Sequence, residues 1–103
     1  MKLFPQGEIM YVEYSGGRRG SEVRLDAADR EKLVAFLEQH QSGWRYDLIS
    51  YAPGRLFYAE NMRINCMEGI IVVNFRDTDE QWRQWSKTLE IPCPVPAVKE
   101  SVP

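Results

Sequence analysis

Apolar and polar positions along this chain change period several times, and each change marks an element. The clearest pattern lies in Met62 to Met67 and Ile70 to Phe75. With a two-residue turn at Glu68-Gly69, Cys66 falls opposite Ile71, Ile64 opposite Val73 and Met62 opposite Phe75. All six side chains are apolar and share one face. The other face carries Arg63, Asn65 and Asn74 with Met67, Ile70 and Val72. A three-residue turn would mix the two sets, so the pattern fixes the register of this hairpin. Glu-Gly is a weaker turn signal than Asn-Gly, because the first turn position also favours positive φ.

Upstream, Glu8 to Ser15 alternates as a strand, with Met10, Val12 and Tyr14 on one face. Gly16-Gly17-Arg18-Arg19-Gly20 is a loop, and Glu22 to Leu25 is a second strand with Val23 and Leu25 inward. Opposite charges stabilise a cross-strand pair and like charges do not. That favours a register placing Glu13 opposite Arg24, Tyr14 opposite Val23 and Val12 opposite Leu25. Asp26 is a good N-cap for a helix from about Ala27 to Gln41, with Asp29 in its first turn. Leu33, Phe36, Leu37 and His40 follow the spacing of one buried helical face, and Ser42-Gly43 ends it.

Trp44 to Tyr51 is predicted as a third strand. Ala52-Pro53-Gly54-Arg55 fits a type II turn into a fourth strand, Leu56 to Ala59. Asp77 or Thr78 is expected to cap a second helix ending near Leu89, with Trp82, Trp85 and Leu89 as its apolar stripe. Ile91 to Pro103 contains four prolines, which a sheet interior does not accommodate. The order is β-β-α-β-β-β-β-α. It predicts an α+β fold: a mostly antiparallel five- to six-stranded sheet, two helices packed on one face, and an extended Pro-rich C-terminal tail. Residues 1–90 form the expected single domain and residues 91–103 the tail, read as a strap along that domain.

Composition narrows the function classes. At 103 residues the chain has the length of one domain, and its 44% hydrophobic and 27% charged content is ordinary for a globular protein. The formal net charge of −2 disfavours a general phosphate-backbone binder. Nucleic-acid binding through Arg18, Arg19, Arg24, Arg45 and Arg55 is therefore the least favoured reading. No apolar run approaches membrane-spanning length, and no secretory leader is legible in Met1-Lys2-Leu3-Phe4-Pro5. Cys66 and Cys93 do not make a disulfide framework by count, so a cytoplasmic location is the expectation, with no membrane partner.

Candidate chemistry is sparse. His40, Cys66 and Asp47 make a nucleophilic triad only on paper, because no local signature supports it and Cys66 lies on the apolar hairpin face, where a thiol is an inert core residue. One His and two distant Cys lack the close ligand pairs of structural zinc. Asp77-Thr78-Asp79-Glu80 lacks the central Gly and closing Glu of a calcium loop. Glu13, Glu22 and Asp47 have nothing that fixes two of them at a catalytic separation. No catalytic residue, metal site or cofactor is assigned, and the chain is read as a non-enzyme.

What the pattern leaves over is apolar surface. Trp44, Tyr46 and Tyr58, with Met67, Ile70 and Val72 on the second hairpin face, exceed what one small core consumes. Rimmed by Arg63 and by Arg18 and Arg19 of the loop, they have the make-up of a protein-binding patch. The expected function is a small protein-binding module of the inhibitor, immunity-protein or accessory regulatory-subunit kind. The alternatives are a homodimer on the same face, and a small-molecule binder or small enzyme with an aromatic pocket between sheet and helices.

Overall fold

The computed structural model describes residues 3–76, 79–89 and 93–95. Its elements are β1 (Met10–Ser15), β2 (Arg18–Arg19), β3 (Val23–Arg24), α1 (Ala27–Gln39), β4 (Arg45–Tyr46), β5 (Arg55–Tyr58), β6 (Met62–Met67), β7 (Ile70–Arg76) and β8 (Trp82–Thr88). The strands form one sheet in the order β2-β1-β5-β6-β7-β8-β4, with β3 pairing β1 beside β2. Every pairing is antiparallel. The expected α+β class and antiparallel sheet are present, but with eight strands and a single helix among the described residues.

The β6–β7 hairpin has the register its pattern predicts: Met62 opposite Phe75, Ile64 opposite Val73 and Cys66 opposite Ile71. Gly69 takes the positive φ its turn needs, at 79°, where a Cβ would be strained. Glu68 does not share it, so the weak first position costs nothing here. Helix α1 also begins as predicted. The Asp26 carboxylate accepts the Asp29 N–H at 2.8 Å, and Leu33, Phe36 and Leu37 are buried. The helix stops at Gln39, two residues early, with His40 as its C-cap.

Three expectations are corrected. The second helix is strand β8, paired with β7 over its whole length, Val73 facing Trp85 and Ile71 facing Lys87. Trp82 and Trp85 stand three apart, which imitates a helical stripe. Pairing with β7 satisfies the backbone instead and sets Trp82, Gln84, Ser86 and Thr88 against Arg83, Trp85 and Lys87 on opposite faces. The cap expected at Asp77 or Thr78 lies outside the described residues. The third strand shrinks to Arg45–Tyr46 and pairs with β8, not with β5, so no hairpin turns at Pro53-Gly54. The first hairpin has Met10 opposite Arg24 and Tyr11 opposite Val23, while Tyr14 and Ser15 pair with Arg19 and Arg18. Glu13 meets its counter-charge on the other side, facing Arg55 of β5.

The two faces of the sheet are covered differently. On the helix face, Leu33, Phe36 and Leu37 pack with Tyr11, Phe57, Met62, Ile64, Ile71 and Val73. Each such side chain contributes about 1.5–3 kcal/mol by leaving water. Leu3 and Ile9 from the N-terminal segment and Val95 from the C-terminal segment complete this core. Of the segment expected to be a strap only residues 93–95 are described, and they lie on the core face. Cys93 is bonded to Cys66, with Cα atoms 5.8 Å apart, and the Arg55 guanidinium donates to the Val95 carbonyl. Cys66 is the buried residue its pattern predicts, yet it is half of a disulfide and not a free thiol.

Candidate functional site

The opposite face, where a partner surface is expected, has a cover of its own. Between β4 and β5 the chain crosses it as the loop 47–54, fixed by side chains rising from the sheet. Gln84 of β8 donates its Nε2 to the Asp47 and Ile49 carbonyls at 3.2 and 2.6 Å. Asn65 of β6 accepts the Gly54 N–H at 2.9 Å and donates to the Ala52 carbonyl at 3.2 Å. Asn65 and Cys66 are consecutive, so one strand anchors a cover on each face of the sheet.

The loop also braces itself. One Asp47 carboxylate oxygen accepts the Ile49 N–H at 2.8 Å. The other accepts the Tyr51 hydroxyl at 2.5 Å. These donors hold the Asp47 carboxyl below its usual range, the Tyr51 hydroxyl most strongly, and the Tyr51 phenol is raised in turn. Gly54 fits where a side chain would not: a Cβ there would lie 2.9 Å from the Cys66 carbonyl oxygen.

This bracing presents two large apolar side chains to water. Leu48 is 81% exposed and Ile49 63% exposed. Tyr46, which pairs with Trp85 on the other face of the sheet, is exposed as well, its ring edge-on to Trp85 at 5.3 Å. Ordinary loops leave such residues mobile or turn them inward. Here hydrogen bonds fix the backbone on either side of them, so little conformational freedom remains to be lost on contact with a partner.

The expected site residues divide into three groups. Tyr46 is exposed but pairs with Trp85, which sets it on the sheet face opposite the loop. Arg18, Arg19, Tyr58 and Arg63 lie on the part of the sheet towards β1, with Tyr58 facing Arg63 and accepting a hydrogen bond from Arg19 at 3.3 Å. The third group is structural. Val72 is buried, which removes it as a contact residue. Met67 and Ile70 are half-buried beside the β6–β7 turn. Trp44 donates its indole N–H to the His40 carbonyl at 2.6 Å and lies under the Lys87 ammonium. Leu48 and Ile49 escaped the sequence reading because alternation through 44–51 suggested a strand. Only the Asp at position 47, a residue that favours turns, signalled otherwise.

The paper triad is not assembled. Cys66 is bonded to Cys93 and offers no thiolate. Asp47 is committed to Tyr51 and Ile49. His40 Nδ1 lies 3.0 Å from the Lys87 ammonium, and burial, then Lys87, push its pKa below the usual value. Among the described residues no three His, Cys, Asp or Glu side chains group as metal ligands. No helix of the described residues is long and apolar enough to cross a membrane. No family model, curated protein or solved structure matches the chain.

Proposed function

We propose that this protein is a small protein-binding module whose contact element is the clamped loop 47–54. The observation that carries the reading is Leu48 and Ile49, 81% and 63% exposed on a backbone held by Gln84 and Asn65. Rigid scaffolds that display apolar loop residues gain affinity by lowering the ordering cost of binding. Dedicated inhibitors, immunity proteins and accessory subunits are small binding modules, and the assignment to that group is an argument by class, not by motif. The Cys66–Cys93 bond counts against the cytoplasmic default, because disulfides persist in oxidising compartments and are rare in a reducing cytosol.

The test is stoichiometric capture of a partner from the source cells, followed by binding of that purified partner to a Leu48→Asp, Ile49→Asp variant. Interface hot spots are worth about 2 kcal/mol or more each, so affinity should fall by more than roughly thirtyfold. A partner that binds the double variant as tightly as the parent protein overturns the loop as the contact element.

A further inference from the structure

The loop crosses its sheet face from Gln84 of β8 to Asn65 of β6 and leaves the arginines of that face exposed. The register places the remainder in view. Arg24, Met10, Tyr58, Arg63, Asn74 and Gln84 stand side by side in one row across β3, β1, β5, β6, β7 and β8. Arg76 lies on the same face of β7, diagonal to Arg63, at a spacing where like charges repel. Arg19 reaches the row from the sheet edge through Tyr58. Arg19, Arg24, Arg63 and Arg76 are all exposed.

Carboxylates balance only the part of this surface nearest β2 and β3. Glu8 pairs with Arg24 at 2.7 Å and Glu22 approaches Arg19 at 4.0 Å. Arg76 stacks over Trp82 at 6.0 Å. Among the described residues Arg63 has no ion-pair partner, and its row neighbours are Tyr58 and Asn74. The charge is local, since acidic residues outnumber basic ones in the chain, 15 to 13. Helix α1, across the sheet, carries Asp29, Glu31 and Glu38 against Arg30 and Lys32 and is close to neutral. Basic charge concentrated on the arginine face orients an approaching acidic partner.

We infer that this uncovered part of the face, centred on Arg63 and Tyr58, docks an acidic segment of a partner protein. Guanidinium forks match carboxylates in pairs, and the flanking Asn74 adds a neutral donor. A continuous phosphate backbone suits the surface less well. Glu8 and Glu22 interrupt it, Tyr58 is half-buried, and the chain as a whole is acidic. A second copy presenting the same face would set arginine against arginine. The surface is distinct from Leu48 and Ile49, and its test does not depend on them.

Polyglutamate and a thymidine oligonucleotide of equal charge serve as probes, titrated into the isotopically labelled protein at low and at physiological salt. The expected result is salt-sensitive shifts of Tyr58, Arg63 and Asn74 with polyglutamate, and weaker ones with the oligonucleotide. Arg63→Glu should cut polyglutamate affinity roughly tenfold, the scale of one charge-assisted contact. Lys32→Glu, on the far side of the sheet, should leave it within twofold. Because Arg63 is exposed, retained shift dispersion in Arg63→Glu will separate lost binding from lost fold. An oligonucleotide that binds more tightly than polyglutamate overturns the inference, as does an Arg63→Glu variant that binds polyglutamate unchanged.

Discussion

The two faces of the sheet carry covers of opposite chemistry. On the helix face α1 and residues 93–95 are held by apolar packing around Phe57, Ile64 and Val73 and by one covalent bond, and the N-terminal segment adds carboxamide contacts to that packing. On the other face the loop 47–54 is held by carboxamides. Apolar burial is non-directional and scales with area, so it favours covers that turn their large residues inward. Hydrogen bonds fix the backbone and leave side chains free to face outward. That difference is why Leu48 and Ile49 can be ordered and exposed together.

Carboxamides recur at the irregular segments. Asn61 accepts the Gln6 N–H and donates to the Phe4 carbonyl, both at 2.8 Å. Gln41 makes the same paired contact with Leu3, at 2.6 and 3.1 Å. One amide side chain offers a donor and an acceptor, as a strand neighbour does, and so satisfies backbone that has no strand beside it.

If the faces differ in this way, their largest separation should appear in the core. Phe57→Ala on the helix face should lower unfolding free energy by about 3–5 kcal/mol, the cost of truncating a fully buried aromatic. Denaturant titration would measure it. A loss below about 1 kcal/mol would mean that this face is not the core. Next comes the covalent cover. Cys93→Ser removes a link between residues 27 apart in sequence. By loop-closure entropy it should cost about 3–4 kcal/mol, and adding reductant to the parent protein should reproduce the loss. The polar cover should yield less. Asn65→Ala leaves the Gly54 N–H without its acceptor and should cost about 1–3 kcal/mol. Hydrogen exchange should then quicken at Gly54 and Ile49 before it quickens at Val73. Equal acceleration at all three would mean that the loop and core open as one unit.

The same contrast explains what was legible in the sequence. Apolar periodicity reports burial, so the β6–β7 register and the buried stripe of α1 could be read directly. The row that holds Arg63, Tyr58 and Asn74 also follows from alternation once the strands are paired. The loop could not be read, because its anchors are single long-range hydrogen bonds: Gln84 to Ile49 spans 35 residues and Asn65 to Ala52 spans 13. No period marks such contacts. Strand β8 was hidden for a related reason. Its inward positions include Lys87 and Arg83, and only pairing with β7 decides between strand and helix. The Cys66–Cys93 bond depends on where the strap lies, which two isolated cysteines do not encode.

The smallest expected effects are those of pH, and they separate the faces by range. His40, at the end of α1, has its folded pKa lowered from the usual 6.5 by burial and then by Lys87. A depressed pKa means that the folded state resists protonation. The stabilisation from neutral His40 is therefore complete above 6.5 and is lost as pH falls through the lower folded value. Asp47 has its pKa lowered from 3.8, first by the Tyr51 hydroxyl and then by the Ile49 N–H. Its contribution is complete above 3.8 and disappears only in stronger acid, as protonation weakens both bonds. Mild acid should thus perturb Phe36, whose ring centroid lies 4.4 Å from that of His40, while exchange at Ile49 stays slow. Strong acid should release Ile49. Asp47→Asn should speed Ile49 exchange at neutral pH and abolish its acid dependence. An acid dependence that survives in this variant would mean that a group other than Asp47 holds the loop closed.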